Sequence, residues 1–293
     1  MSITFKILKT NELENSDLND LAKLFKDSFN KKVSQKLLLK KYLTTYKGYS
    51  YHGLFYDDSN DIIVGAYTFI PKKFKYKRKE VIGLHLQDTC FPYEGIVNPF
   101  SIKKGVFKSL DSVKKDIKEL SFLYGFPNKK IESLWIKLLK WQYVNTVYTC
   151  IDLFPIVSFL TNLKIKKFNT RNVVITDIDE EQIKSRLNCF KSFHHKINEN
   201  SFLALWQIHK FIPIQVIDNL NVYHDKKNST KLITFLLRLL IPSVSSFRNK
   251  KNKKFWQLNF KMPKFPVYVL LLGDEIKDQT INFSTSFIWN DVP

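Results

Sequence analysis

Phe122-Leu-Tyr-Gly-Phe-Pro-Asn128, FLYGFPN, is an apolar run of strand length cut off at Gly125, Phe126 and Pro127. A stretch with helical spacing follows at once, from Asn128 to Lys140. Proline donates nothing to a neighbouring ladder and glycine permits close approach of a ligand or another backbone. The reading that decides the fold is therefore a buried strand cut short at Gly-Phe-Pro, with a helix close behind it.

Outward from this point the chain alternates. Upstream, ITFKIL (3–8) has the period of a half-buried strand, and NELENSDLNDLAKLFKDSFN places Leu18, Leu21, Leu24, Phe25 and Phe29 at helical spacing. SQKLLLKKYLTTY (34–46) predicts a second helix. The segment from Ser50 to Phe91 predicts three strands joined by DDSND and the basic KYKRK, and a helix is expected from about Lys103 to Leu120. WQYVNTVYTCIDL (141–153) follows the Asn128–Lys140 helix as another strand. Strands and helices in this order predict an α/β mixed sheet with helices on its faces. LKIKKFNT (163–170) is expected to close the first half, giving domains 1–167 and 168–293. In the second, NVVITDI predicts a strand, DEEQIKSRLNCFKSF and the stretch through FLALWQIHKF predict helices, and strands are expected near 212–222, 255–260, in FPVYVLLLG and in INFSTSFIW.

The 293 residues allow one large domain or two ordinary ones, and an apolar content of 44% supports a real core. The net charge is +20, yet the only arginines are Arg78, Arg171, Arg186, Arg238 and Arg248. Bidentate recognition of phosphates and bases favours arginine. A lysine excess spread through every segment is instead a general field that attracts polyanions. Cys90, Cys150 and Cys189 form no CxxC or Cys/His cluster, which argues against a disulfide framework and a structural zinc and for a reducing cytoplasm. The N-terminal stretch shows no leader-like apolar core. The longest apolar run, 232–244, holds Arg238 and Pro242 and is too short to span a bilayer.

The element order, with FLYGFPN as its fifth strand, resembles the Gcn5-related N-acetyltransferase (GNAT) superfamily. The resemblance implies that the fourth and fifth strands part at their C-terminal ends and admit the pantetheine arm of an acyl-CoA, so that the cut at Gly125 is the cofactor's doorway. GFPN, followed by a helix ending in KLLKW (137–141), is similar to a subgroup with two GNAT-like halves in tandem that acts in surface-polysaccharide synthesis. It implies an acyl-CoA-binding first domain, a degenerate second domain on the acceptor side, and Asn128 as a cofactor contact. For the pyrophosphate, the family's Gly-rich loop corresponds to NPFSIKKGVFKSL (98–110), where only Gly105 survives and Ile102 and Lys103 replace motif residues. The coenzyme A contacts implied are Thr89, Cys90, Phe91, Lys103, Lys104, Gly105, Val106, Phe107 and Asn128. The charge of Lys103 and Lys104 and the dipole of the helix supply what the lost glycines do not.

Acyl transfer from a thioester to an amine needs a neutral amine, a donor for the developing oxyanion and a route for the thiolate to leave. The resemblance places the oxyanion donor in the backbone near Thr89–Phe91. On the strand GLHLQDTC, strict alternation sets His85 with Gln87 on one face and Asp88 with Leu84 and Leu86 on the other. His85 and Asp88 are the candidate general bases, with a hydrogen-bonded core histidine and a loop-closing carboxylate as the plainer readings. His194 and His195 are a further pair, expected at a helix end. The family's tyrosine acid falls at Trp135, leaving Tyr93, Tyr124 or Tyr143 to replace it. The subgroup implies transfer of an acetyl or 3-hydroxyacyl group to the amino group of a dTDP- or UDP-linked amino-deoxy sugar for O-antigen or capsule. The alternatives are a basic nucleic-acid-binding protein, resting on KYKRK and RNKKNKK alone, a GNAT acting on another amine, and a GNAT fold that has lost coenzyme A binding.

Overall fold

The computed structural model describes residues 2–30, 32–76, 79–92, 96–127, 129–153, 173–176, 193–198, 201–207, 215–221, 243–247, 257–258, 264–272 and 282–284. The chain divides into two units, the first made of residues 1–72, 81–143 and 268–277 and the second of 73–80, 144–267 and 278–293. The second stretch of the first unit ends at Tyr143, and a C-terminal segment, 268–277, returns to that unit. The reason lies in strand pairing: the strand that completes the first sheet comes from beyond residue 260. The segment 163–170 lies outside the described residues.

The first unit contains β1 (Ile3–Lys9), α1 (Asn15–Phe29), α2 (Gln35–Leu43), β2 (Tyr51–Asp57), most of β3 (Ile62–Tyr76) and β4 (Lys79–Cys90). It continues with α3 (Pro99–Asp116), β5 (Leu120–Gly125) and α4 (Lys129–Lys137). Its sheet runs β1-β2-β3-β4-β5 and ends on the last part of β13 (Lys264–Leu271). β1, β2 and β3 pair antiparallel in turn, β4 and β5 are parallel, and β13 is antiparallel to β5 with Tyr268 beside Gly125.

Alternation along the strands builds two cores. On one face Leu54, Tyr56, Ala66 and Ile70 meet Leu21 and Leu24 of α1 and Leu38 and Tyr42 of α2. On the other, Phe55, Tyr67, Leu84 and Leu123 meet Ile102, Val106, Leu110 and Val113, the buried stripe of α3. Ser34 caps α2, its hydroxyl accepting from the Leu37 N–H. Asn98 caps α3 ahead of Pro99, the first helical residue, so α3 starts four residues before the expected Lys103.

The second unit holds β6 (Gln142–Asp152) from Val144 onward, β7 (Val173–Thr176), β8 (Phe193–Asn198), β9 (Ser201–Gln207) and β10 (Gln215–Asn221). Further along are β11 (Ser243–Phe247), β12 (Gln257–Leu258) and β14 (Asn282–Ser284). Strands β6-β11-β10-β9-β8 lie side by side, and β7 pairs with β14 and with Phe74 and Lys75 of β3. The helix expected through FLALWQIHKF is a strand over Ser201–Gln207, and His194 and His195 stand in β8 beside Ala204 and Leu203. A short continuous apolar run such as FLALW fits either element, and antiparallel pairing with β8 decides for strand. Most of the DEEQIKSRLNCFKSF stretch lies outside the described residues.

Candidate active site

β4 and β5 keep a parallel ladder from Ile82 beside Leu120 to His85 beside Tyr124, and there it stops. β4 runs on to Cys90, while β5 ends at Gly125 and gives way to Phe126 and Pro127. The Leu86 carbonyl lies 3.1 Å from the point a Cβ on Gly125 would occupy, so the strands still touch at that level and part beyond it. The backbone from Gln87 to Cys90 therefore has no rung to β5. Gly125 permits a close approach as expected, but the group that makes it is protein: atoms of the Trp135 indole stand 2.6 and 2.7 Å from that Cβ position. Trp135 is buried and packs on Trp141 with ring centroids 4.4 Å apart, seating α4 over the end of β5.

Strict alternation fails on β4 at Asp88, whose φ of 51° is left-handed. A left-handed residue within a strand kinks it and re-aims the side chains that follow, as β-bulges do beside functional sites. Here it takes the Asp88 carboxylate off the Leu84/Leu86 face and delivers it to α2. Lys41 Nζ donates to Oδ1 at 2.9 Å and the Tyr42 hydroxyl donates to Oδ2 at 2.9 Å. Both members of the Lys41–Asp88 pair are largely shielded from solvent. Asp88 is thus occupied as an anchor of the kink, and burial together with the Asp88 charge pushes the Tyr42 hydroxyl pKa well up.

His85 is 2% exposed, lies flat on Tyr124 with centroids 4.5 Å apart, and meets Phe126 edge-on at 5.4 Å. Its Nδ1 is 3.4 Å from Nζ of Lys72, a lysine that is itself only 5% exposed. When an ammonium donates to Nδ1, the proton of the neutral ring sits on Nε2 and the imidazole presents a donor. Thr89 is half-buried at the parted end, Cys90 is buried, and burial pushes its thiol pKa up, away from thiolate reactivity. The Phe91 ring lies across Gly65 and 5.6 Å from Phe55, so it belongs to the core.

The early start of α3 sets the expected diphosphate residues inside the helix. Lys103, Lys104, Gly105, Val106 and Phe107 lie in its second and third turns, where N–H groups serve the helix's own carbonyls. Gly105 faces the sheet, with Phe55 and Phe5 ring atoms 2.9 and 3.0 Å from where its Cβ would be. It is a packing glycine. At the true start, Pro99 has no N–H, the Phe100 N–H is taken by the Asn98 side chain at 2.8 Å, and the Ile102 N–H by the Asn98 carbonyl. The Ser101 N–H is the remaining donor of the first turn, beside Lys103 and Lys104. Asn128 and Tyr93 lie outside the described residues.

Sequence reasoning missed Lys41, Tyr42, Lys72 and Tyr268. The first two stand 47 and 46 residues before Asp88, and no local pattern links them to it. Tyr268 arrives on β13 opposite Gly125 and donates to Glu132 of α4 at 2.6 Å, with Tyr143 edge-on at 5.6 Å. Among the described residues no group of three His, Cys, Asp or Glu side chains is placed to hold a metal ion, and no helix is long and apolar enough to cross a membrane.

No family model matches the sequence, and no curated protein does. Solved structures do match in shape. A probable N-acyltransferase from Enterococcus faecalis superposes with a TM-score of 0.58 at 9% identity, over 92% of this chain and 73% of that one. A GCN5-related N-acetyltransferase from Kribbella flavida gives 0.58 at 11% identity, over 92% and 72%. The N-myristoyltransferase of Saccharomyces cerevisiae, solved with bound myristoyl-CoA, gives 0.51 at 9% identity, over 91% and 82%. With its parallel β4–β5 pair parting at His85 and Tyr124, this chain carries the fold of the GCN5-related N-acyltransferases.

Proposed function

We propose that the chain is an acyl-CoA-dependent N-acyltransferase. The observation that carries the reading is the end of the β4–β5 ladder at His85 and Tyr124, five residues before β4 itself ends. Acyl-CoA, as the donor substrate, supplies an activated thioester on a long amide-bearing arm. Its arm fits this chain: the Gln87–Cys90 backbone offers strand-like amides and carbonyls to an extended partner where β5 is absent, as an added strand would use them. At the diphosphate end the fit differs from a bare-amide cradle, and Lys103, Lys104, the Ser101 N–H and the α3 dipole would carry the charge.

Thr89–Phe91 follow the kink at Asp88 and lie beyond the last rung to β5, and we place the oxyanion donor among their backbone N–H groups. Asp88 holds that kink through Lys41 and Tyr42, and His85, with Lys72 beside its Nδ1, stands with Tyr124 at the last rung before the parting. For the acceptor, we favour a nucleotide-linked amino-deoxy sugar of the kind used in surface polysaccharides. Its diphosphate suits a chain of net charge +20, which raises the local concentration of polyanions.

The test is calorimetry with acetyl-CoA, then thiol release with a panel of dTDP- and UDP-linked amino sugars. Binding of acetyl-CoA, with amine-dependent thiol release that falls in His85→Gln while affinity is retained, is the expected result. Absence of heat with any acyl-CoA at low salt overturns the enzyme reading; release with simple amines and none with nucleotide sugars overturns the acceptor.

A further inference from the structure

α3 presents an outward face that the fold does not use. Its buried stripe, Ile102, Val106, Leu110 and Val113, meets the sheet. On the opposite pole stand Phe100 and Phe107, seven residues and so about 10 Å apart along the axis, 72% and 39% exposed. Burying neither ring helps the core. Lys108, Lys114 and Lys115 are exposed around the same pole, against a single carboxylate, Asp111. The other nearby acid, Asp116, is already engaged by the Tyr49 and Tyr51 hydroxyls and by Lys9.

We propose that this face of α3 docks on an anionic lipid surface, with Phe100 and Phe107 in the headgroup–acyl boundary and the flanking lysines on lipid phosphates. Aromatic rings in line on one pole of a helix, bordered by long cationic side chains, is the arrangement of a helix lying in a membrane interface. The lysine stems cover apolar depth while their ammonium groups stay with the phosphates. A convex helix ridge matches a flat, deformable surface. The cations are all lysine, which gives attraction to surface charge without the bidentate geometry that nucleic-acid recognition draws from arginine.

The experiment is co-sedimentation of the full chain with vesicles of phosphatidylcholine alone and of phosphatidylcholine with phosphatidylglycerol, at low and high salt. A single-stranded DNA oligonucleotide and an acidic peptide serve as competitors. Binding to anionic vesicles alone, weakened by salt, is expected. Lys108→Glu with Lys115→Glu should reduce partitioning about thirtyfold or more, from roughly 1 kcal/mol for each lysine. Phe100→Ser with Phe107→Ser should reduce it while leaving the circular dichroism spectrum unchanged, since Phe100 is largely and Phe107 partly in solvent and neither belongs to the buried stripe. Failure of the wild-type chain to bind anionic vesicles, binding that both double variants retain, or tight DNA binding without vesicle binding each overturns the proposal. Acetyl-CoA affinity measured on the same samples separates this outcome from that of the transferase reading.

Discussion

The Lys41 ammonium lies 2.9 Å from the Asp88 carboxylate, tying α2 to the left-handed residue that kinks β4. Asp88→Asn keeps the shape and tolerates the left-handed backbone, so it removes the charge alone. It should cost about 2 kcal/mol in urea unfolding, with Lys41→Met costing a similar amount and the two coupled in a double-mutant cycle. A loss of turnover in Asp88→Asn with stability and coupling untouched would return Asp88 to the role of base.

Gly105→Ala is the test of the packing reading of α3. The added methyl meets the rings of Phe55 and Phe5, and overpacking of this kind costs about 1–3 kcal/mol against a helix-propensity gain of about 1. Net destabilisation of up to about 2 kcal/mol is expected, with acetyl-CoA affinity of the folded fraction unchanged. Weakened affinity at unchanged stability would put Gly105 back at the diphosphate.

Acid sensitivity should trace to His52. It is fully buried between Thr10 and Thr68, and burial lowers its pKa to about 3. The unfolded chain takes up this proton below about pH 6.5 and the folded chain refuses it, so this contribution is complete above that pH and is lost as pH falls towards 3. Asp116, held down to about 2 mainly by the Tyr51 and Tyr49 hydroxyls, contributes in full above its ordinary 3.8 and loses that contribution only below it, outside the range from pH 7 to 4. Urea midpoints between pH 7 and 4 should decline steadily in the wild type and more shallowly in His52→Gln. Equal slopes would place the acid-sensitive group elsewhere.

Tyr268 closes the first unit from the far end of the chain. Its hydroxyl pKa is raised to about 12, by burial first and by the Glu132 hydrogen bond next. Tyr268→Phe should cost about 1–2 kcal/mol, and truncation before Lys264 should leave β5 as a bare apolar edge that aggregates. A truncated chain that stays monomeric and folded would show that β13 is dispensable.

The first unit was legible because its cues are local. Alternation in ITFKIL, helical spacing in the Leu18–Phe29 stretch and the Gly-Phe-Pro stop each report on their own segment. Gly125 and Pro127 gave the end of β5 in the same way, while its parting from β4 was implied by the family resemblance. What was illegible depends on partners far away in the chain. Lys41 meets Asp88, Tyr268 completes the sheet at Gly125, and Trp135 fills the space that Gly125 leaves. The α3 start was misplaced because Lys103 was matched to a glycine motif, while Asn98-Pro99 carried the true cap signal. FLALW was read as helix because an apolar run on both faces has no period, and its hairpin partner FHHKIN decides the matter.

Amide hydrogen exchange across Gln87–Phe91, with and without acetyl-CoA, tests the parted strands most directly. The account predicts that acetyl-CoA slows exchange in this stretch of β4 well beyond any change in β1 or β2. Saturating acetyl-CoA that leaves these amides exchanging as before would contradict it.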